Sequence, residues 1–171
     1  RVAVVYSETS ANFYFDKTAY GQLFMAAQNQ AMQAGLPFDV ISESDLTNIA
    51  TLAKYDALIL PGLSHVQSAD LAAITATLTT AVRDYGIGLV TMGNLLTNDQ
   101  TGAPLAGDTY ARMKAIQGVA LDGFGTTNGV VIKAVDGSHP VSDLYGVNEQ
   151  VGAYSPTSYL TFKDITGTGQ T

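Results

Sequence analysis

Apolar and polar positions fall into alternating blocks through the first ninety residues. Val2-Ala3-Val4-Val5-Tyr6 is a short, fully apolar run, as expected of a strand covered on both faces. A polar stretch follows from Ser7 to Asp16. Tyr20, Leu23, Phe24, Ala27, Ala31 and Ala34 then recur at helical spacing, and Gly35 stands where a helix ends. Phe38-Asp39-Val40-Ile41, opened by Pro37, reads as a second strand. Residues 46–52 suit one or two short helical turns. Ala57-Leu58-Ile59-Leu60 is a third strand, closed by Pro61-Gly62. Leu71, Ile74, Leu78, Val82 and Tyr85 form another helical stripe, with Ser68 as expected N-cap and Gly86 as stop. Gly88-Leu89-Val90-Thr91 is a fourth strand.

Strands separated by helices of this length imply right-handed βαβ crossovers and a mainly parallel sheet. The expected order is flavodoxin-like, 2-1-3-4 with further strands beyond, in a three-layer α/β sandwich. After Gly93 the pattern weakens. Residues 94–108 read as a long loop and residues 110–116 as a helix. Residues 130–135 suit a strand, and residues 151–162 suit one or two more. The chain, 171 residues long, is taken as a single domain, with residues 151–171 a candidate appendage. It begins directly before a strand and stops in a Gly-Thr tail, so it is expected to be excised from a longer protein, its export signal removed.

Composition narrows the chemistry. There is no cysteine, which removes disulfides, a thiol nucleophile and Cys-ligated metals. The net charge of -7 argues against nucleic acid and anionic membrane as partners. No apolar run is long enough for membrane insertion. Charged residues are 13%, about half the usual share, so the polar surface is built from Thr, Ser, Asn, Gln and Gly. That composition suits an extracellular or periplasmic protein.

In an open parallel sheet, ligands sit beyond the carboxyl ends of the strands. Those ends carry Ser7, Glu8, Thr9, Ser10, Asn12 and Asp16; then Ser42, Glu43 and Asp45; then Ser64 and His65; then Thr91, Asn94, Thr97, Asn98 and Asp99. The loop from Ser7 to Asn12 has no glycine and carries Glu8, which opposes a phosphate cradle and, with it, a nucleotide or flavin cofactor. His65 is a candidate base or sugar-hydroxyl partner. His139 follows the turn Asp136-Gly137 and suits a surface turn. No His-Glu-x-x-His, two-His metal spacing or G-x-S-x-G elbow occurs, so neither metal nor cofactor is expected.

The runs RVAVVYSET, AGLPFDV, YDALILPG and DYGIGLVTMGN together resemble the class I glutamine-amidotransferase-like superfamily over about the first hundred residues. The closer resemblance is to the trimerisation-type domain of bacterial beta-galactosidases and to accessory modules of extracellular polysaccharide-processing enzymes. In active amidotransferases the resemblance places a nucleophilic Cys in a Cys-x-Gly turn after the fourth strand. Here that triplet is Thr91-Met92-Gly93, and the family's later His-Pro-Glu matches His139-Pro140-Val141. The resemblance therefore implies a non-catalytic module. Its partners would be the other domains of a carbohydrate-active parent (a glycoside hydrolase or, from the loop of residues 97–102, an exopolysaccharide deacetylase), copies of itself, or polysaccharide. Candidate sugar ligands are Tyr14, Asp16, His65, Asn94, Asn98 and Asp99, because hydroxyl recognition pairs polar groups with an aromatic face. Two alternatives stand beside it. One is a diverged hydrolase using Thr91 or Ser64 with His65, and the other is a flavodoxin-like small-molecule binder.

Overall fold

A computed structural model describes residues 1–14, 16–126, 129–135, 137–138, 142–155 and 158–165. The chain forms two compact units, Arg1–Ala120 with Asp164–Thr171, and Leu121–Lys163.

The first unit runs β1 (Val2–Tyr6), α1 (Glu8–Phe13), α2 (Lys17–Gln33), β2 (Phe38–Ser42), a 3-10 turn (Glu43–Thr47), α3 (Ile49–Leu52), β3 (Ala57–Leu60), β4 (Leu63–Val66), α4 (Leu71–Arg83), β5 (Gly88–Thr91), β6 (Leu95–Asp99) and α5 (Ala111–Gln117). The central sheet has the order β2-β1-β3-β5. All of its pairings are parallel. This is the order expected for the first four strand signals. Ala3, Val4 and Val5 of β1 and Leu58 and Leu60 of β3 are buried, as inner strands of a covered sheet must be. Ile74, Leu78 and Ala81 of α4 add the apolar stripe that packs against this interior.

Local chemistry sets the helix ends. Asp16 caps α2 by accepting from the Ala19 N–H at 2.5 Å. At its other end Gly35 adopts φ +68°. That left-handed turn lets Leu36 N–H donate to Ala31 and Gly35 N–H to Met32, closing the helix in a Schellman motif.

Three expectations are corrected. The polar stretch after β1 is not loop throughout, because Ser7 caps α1 by accepting from the Ser10 N–H. The expected loop of residues 94–108 contains β6, which pairs in parallel with the unforeseen β4. Both strands are short and mix polar with apolar residues, so neither carries a periodic signal. Ser68 does not cap α4, whose N-cap is Asp70. The Ser68 N–H and hydroxyl instead both donate to Gln100 Oε1, at 2.7 and 2.8 Å.

The second unit contains an antiparallel pair, β8 (Val130–Lys133) with β9 (Gln150–Tyr154). A further two-strand ladder joins β7 (Val119–Gly125) to β10 (Tyr159–Asp164). Ala134 is the one apolar residue of this unit that is buried among the described residues. Phe124 and Leu144 are 77% and 89% exposed.

Candidate functional site

The carboxyl ends of β1 and β2 lie side by side, since Tyr6 pairs in register with Ser42. The next residue of each strand therefore meets its counterpart. Ser7 Oγ donates to Glu43 Oε2 at 2.7 Å, and Thr9 Oγ1 donates to Oε1 at 2.7 Å. The Thr9 N–H donates to Oε2 at 3.3 Å. Glu43 is only 8% exposed. A carboxylate so buried is stable only when it is hydrogen-bonded, and three donors meet that requirement. Its place is informative. A nucleotide binder would cradle a phosphate at the start of the helix after β1. Here the protein's own carboxylate fills that position.

Tyr20 of α2 locks the same corner. Its phenol accepts from the Ser7 N–H at 3.0 Å and donates to the Gly62 carbonyl at 3.2 Å. Burial pushes its pKa up to about 12, opposed by the Ser7 hydrogen bond. It is therefore a neutral structural phenol at physiological pH. Tyr6 and Tyr14 stand edge-to-face against it, and Phe24 stands edge-to-face against Tyr6.

Beside Glu43 opens a cleft of 270 Å³, whose walls include Tyr6, Glu8, Thr9, Ser42, Gln67 and Asp70. Gln67 Nε2 donates to Thr9 Oγ1 at 3.2 Å, so the threonine hydroxyl is fixed from both sides.

A second polar cluster forms where β4 meets β6. His65 lies opposite Asn98, and Val66 opposite Asp99. The ladder slips between Leu63 and His65, because β6 advances three residues where β4 advances two. The extra residue is accommodated with Leu96 at φ +50°, an unusual conformation for a buried leucine. Arg112 Nε donates to the Leu96 carbonyl at 2.8 Å and braces this bulge. Ser64 Oγ and His65 Nδ1 are 2.9 Å apart. The His65 backbone N–H and C=O both bond the Ser10 hydroxyl, and the His65 ring stacks on Phe13 with centroids 4.5 Å apart. Burial pulls the His65 pKa down, against the raising influence of the Asp99 charge.

Of the six expected sugar ligands, the fold brings together His65, Asn98 and Asp99. Asn98 Nδ2 donates to the Gly102 carbonyl at 3.0 Å, and its Oδ1 accepts from Thr97 Oγ1 at 2.8 Å. Asp99 Oδ1 accepts from the Thr101 N–H, the Thr101 hydroxyl and the Ala103 N–H. The Thr101 hydroxyl, foremost, holds the Asp99 pKa below its usual range. Tyr14 instead ends α1 beside Tyr20, and Asp16 is the cap of α2. Asn94 lies between β5 and β6, its Oδ1 buried without a partner among the described residues. Thr91 accepts a hydrogen bond from Gln117 Nε2. His139 and its neighbours Pro140 and Val141 lie outside the described residues. Sequence reasoning placed Glu43 on the rim without choosing it. The signal was present, since adjacent strands β1 and β2 had to bring Ser7 and Glu43 together.

Among the described residues no group of three or more His, Asp or Glu is placed to hold a metal ion. No helix among them is long and apolar enough to cross a membrane.

The architecture defines a class, an α/β unit with a four-stranded parallel core. Among solved structures it is similar to Gan42B, a GH42 beta-galactosidase, with a TM-score of 0.56 and 18% identity over 77% of this chain and 19% of that one. It is likewise similar to a catalytic mutant of Gan42B from G. stearothermophilus, with a TM-score of 0.56 and 19% identity over the same shares. At such identity the likeness is one of fold, and this chain spans about a fifth of those chains, 19%. No family model matches the chain, and no curated protein matches it.

Proposed function

We propose that this chain is a non-catalytic, amidotransferase-like accessory module of a larger, exported carbohydrate-active protein. The parent would be a glycoside hydrolase or an exopolysaccharide deacetylase. The three-layer arrangement would be flavodoxin-like, and the module would serve packing against a catalytic domain, contacts between copies, or glycan binding. The observation that carries this reading is the fold likeness to a stretch covering only 19% of a beta-galactosidase chain. A fold used there as a fraction of a large enzyme suits a module here. The residue at the amidotransferase nucleophile position adds support. Thr91 has a hydroxyl rather than a thiol, and that hydroxyl accepts from a glutamine amide.

A hydrolase is the second reading, favoured by one observation. Ser64 and His65 form the hydrogen-bonded pair such an enzyme needs. Burial pulls the His65 pKa down and so favours the neutral ring, the state of a base. Turnover of glutamine and of nitrophenyl esters separates the readings. The accessory module is expected to show none. Ester turnover that Ser64→Ala abolishes would establish the hydrolase instead. A flavin or nucleotide binder is the third class. Glu43 in the phosphate position opposes it, and no thermal shift with FMN or ATP is expected.

A further inference from the structure

The cleft beside Glu43 opens at the strand-end rim, where β1 and β2 end side by side. The buried Glu43, its carboxylate held by Ser7 and Thr9, is one of the residues that line it. Tyr6, Gln67, Ser42, Glu8 and Asp70 line it as well. Among the described residues no Lys, Arg or His lines it. The volume of 270 Å³ is near the lower end of small-ligand pockets, roughly 300 Å³, which suits one ring rather than an extended chain.

Each group has a definite capacity. A carboxylate offers about four acceptor positions, and Glu43 uses three. Gln67 spends its amide N–H on Thr9, which aims that side chain and leaves its carbonyl oxygen as an acceptor. Tyr6 is 37% exposed and is braced edge-on by Tyr20 at 5.6 Å and Phe24 at 5.1 Å. An aromatic face held rigid beside outward acceptors matches a molecule with C–H groups on one face and hydroxyl donors around its edge.

We propose that this cleft, rather than the His65 rim, is a saccharide site that takes a single neutral hexopyranose unit. The sugar's C–H face would lie on Tyr6, with its hydroxyls donating to Glu43 and Gln67. The carboxylates and the missing bases reject uronic acids and sugar phosphates by charge. The proposal rests on the reading of the chain as part of a carbohydrate-active protein, and names the ligand and place.

The test is a titration of the isotope-labelled chain, followed by amide NMR, with lactose, cellobiose and digalacturonate. Saturable shifts at Thr9, Glu43 and Gln67 with one of the neutral disaccharides, and none with digalacturonate, are expected. Gln67→Ala, an exposed substitution, should weaken that binding about tenfold, the worth of one hydrogen bond. Tyr6→Ala should weaken it at least as much. Absence of shifts in the cleft, shifts confined to His65, Asn98 and Asp99, or equal shifts with digalacturonate would each overturn the proposal. None of these would touch the accessory-module reading, which the turnover measurement decides separately.

Discussion

Glu43 and Asp99 are two carboxylates at the same end of one fold, each accepting three hydrogen bonds from hydroxyls and backbone N–H groups. What differs is where the donors come from. Those of Glu43 lie 34 and 36 residues away, across two strands. Those of Asp99 lie two and four residues away, within one loop. Glu43 is buried and ties the start of α1 to the end of β2. Asp99 shapes a turn through bonds that span only two and four residues. Equal numbers of hydrogen bonds thus have unequal consequences, because a bond formed across the chain constrains far more of the fold than one formed within a turn.

The sharpest way to break this comparison is Glu43→Ala. It removes the acceptor shared by the Ser7 and Thr9 hydroxyls and the Thr9 N–H in the interior, and about 3 kcal/mol of stability should be lost in urea unfolding. Glu43→Gln should cost less, because the amide keeps one acceptor. Tyr20→Phe tests the neighbouring lock. It strands the Ser7 N–H and the Gly62 carbonyl, and the same measurement should show a loss of about 1–2 kcal/mol.

On the Asp99 side, Gly102→Ala probes the loop backbone. Gly102 has φ +86°, and an added Cβ would come within 2.7 Å of the Phe13 ring. About 1 kcal/mol should be lost, with the Phe13–His65 stack disturbed in NMR spectra.

Smaller still is the pH effect at His65. Its folded pKa lies below the unfolded value of about 6.5, so the neutral ring is the favoured form in the fold. The stability this contributes is present above pH about 6.5 and is lost as pH falls through the folded pKa. His65→Gln should flatten that part of the stability–pH curve. Asp99→Asn should lower the His65 pKa further in an NMR titration, since it removes the charge that raises it.

Asp99→Ala should have the smallest global effect, with faster exchange confined to the Thr101 and Ala103 amides. A fall in stability as large as that of Glu43→Ala would show that the loop is not the local device described above.

The central sheet was legible because β1, β3 and β5 are short apolar runs separated by helix-length segments, and chain connectivity then restricts the order. β4 and β6 were not legible. Ser64, His65, Thr97 and Asn98 sit in strands whose pairing includes a bulge, and a bulge erases the two-residue period that identifies a strand. The same irregularity accompanies the meeting of Ser64 and His65, neighbours whose side chains would point to opposite faces of a regular strand.

The polar rim, too, was legible as a set and not as a site. Sequence alone placed Ser7, Glu43, His65 and Asp99 beyond the carboxyl ends of the four expected strands, because strand direction and connection length leave little choice; that His65 and Asp99 belong to strands of their own came only with the fold. Only the tertiary structure decided which of them are consumed by one another and which border open space. Hydrogen-bond partners are chosen by distance and burial, and those arise when the β1 and β2 ends close together around Glu43.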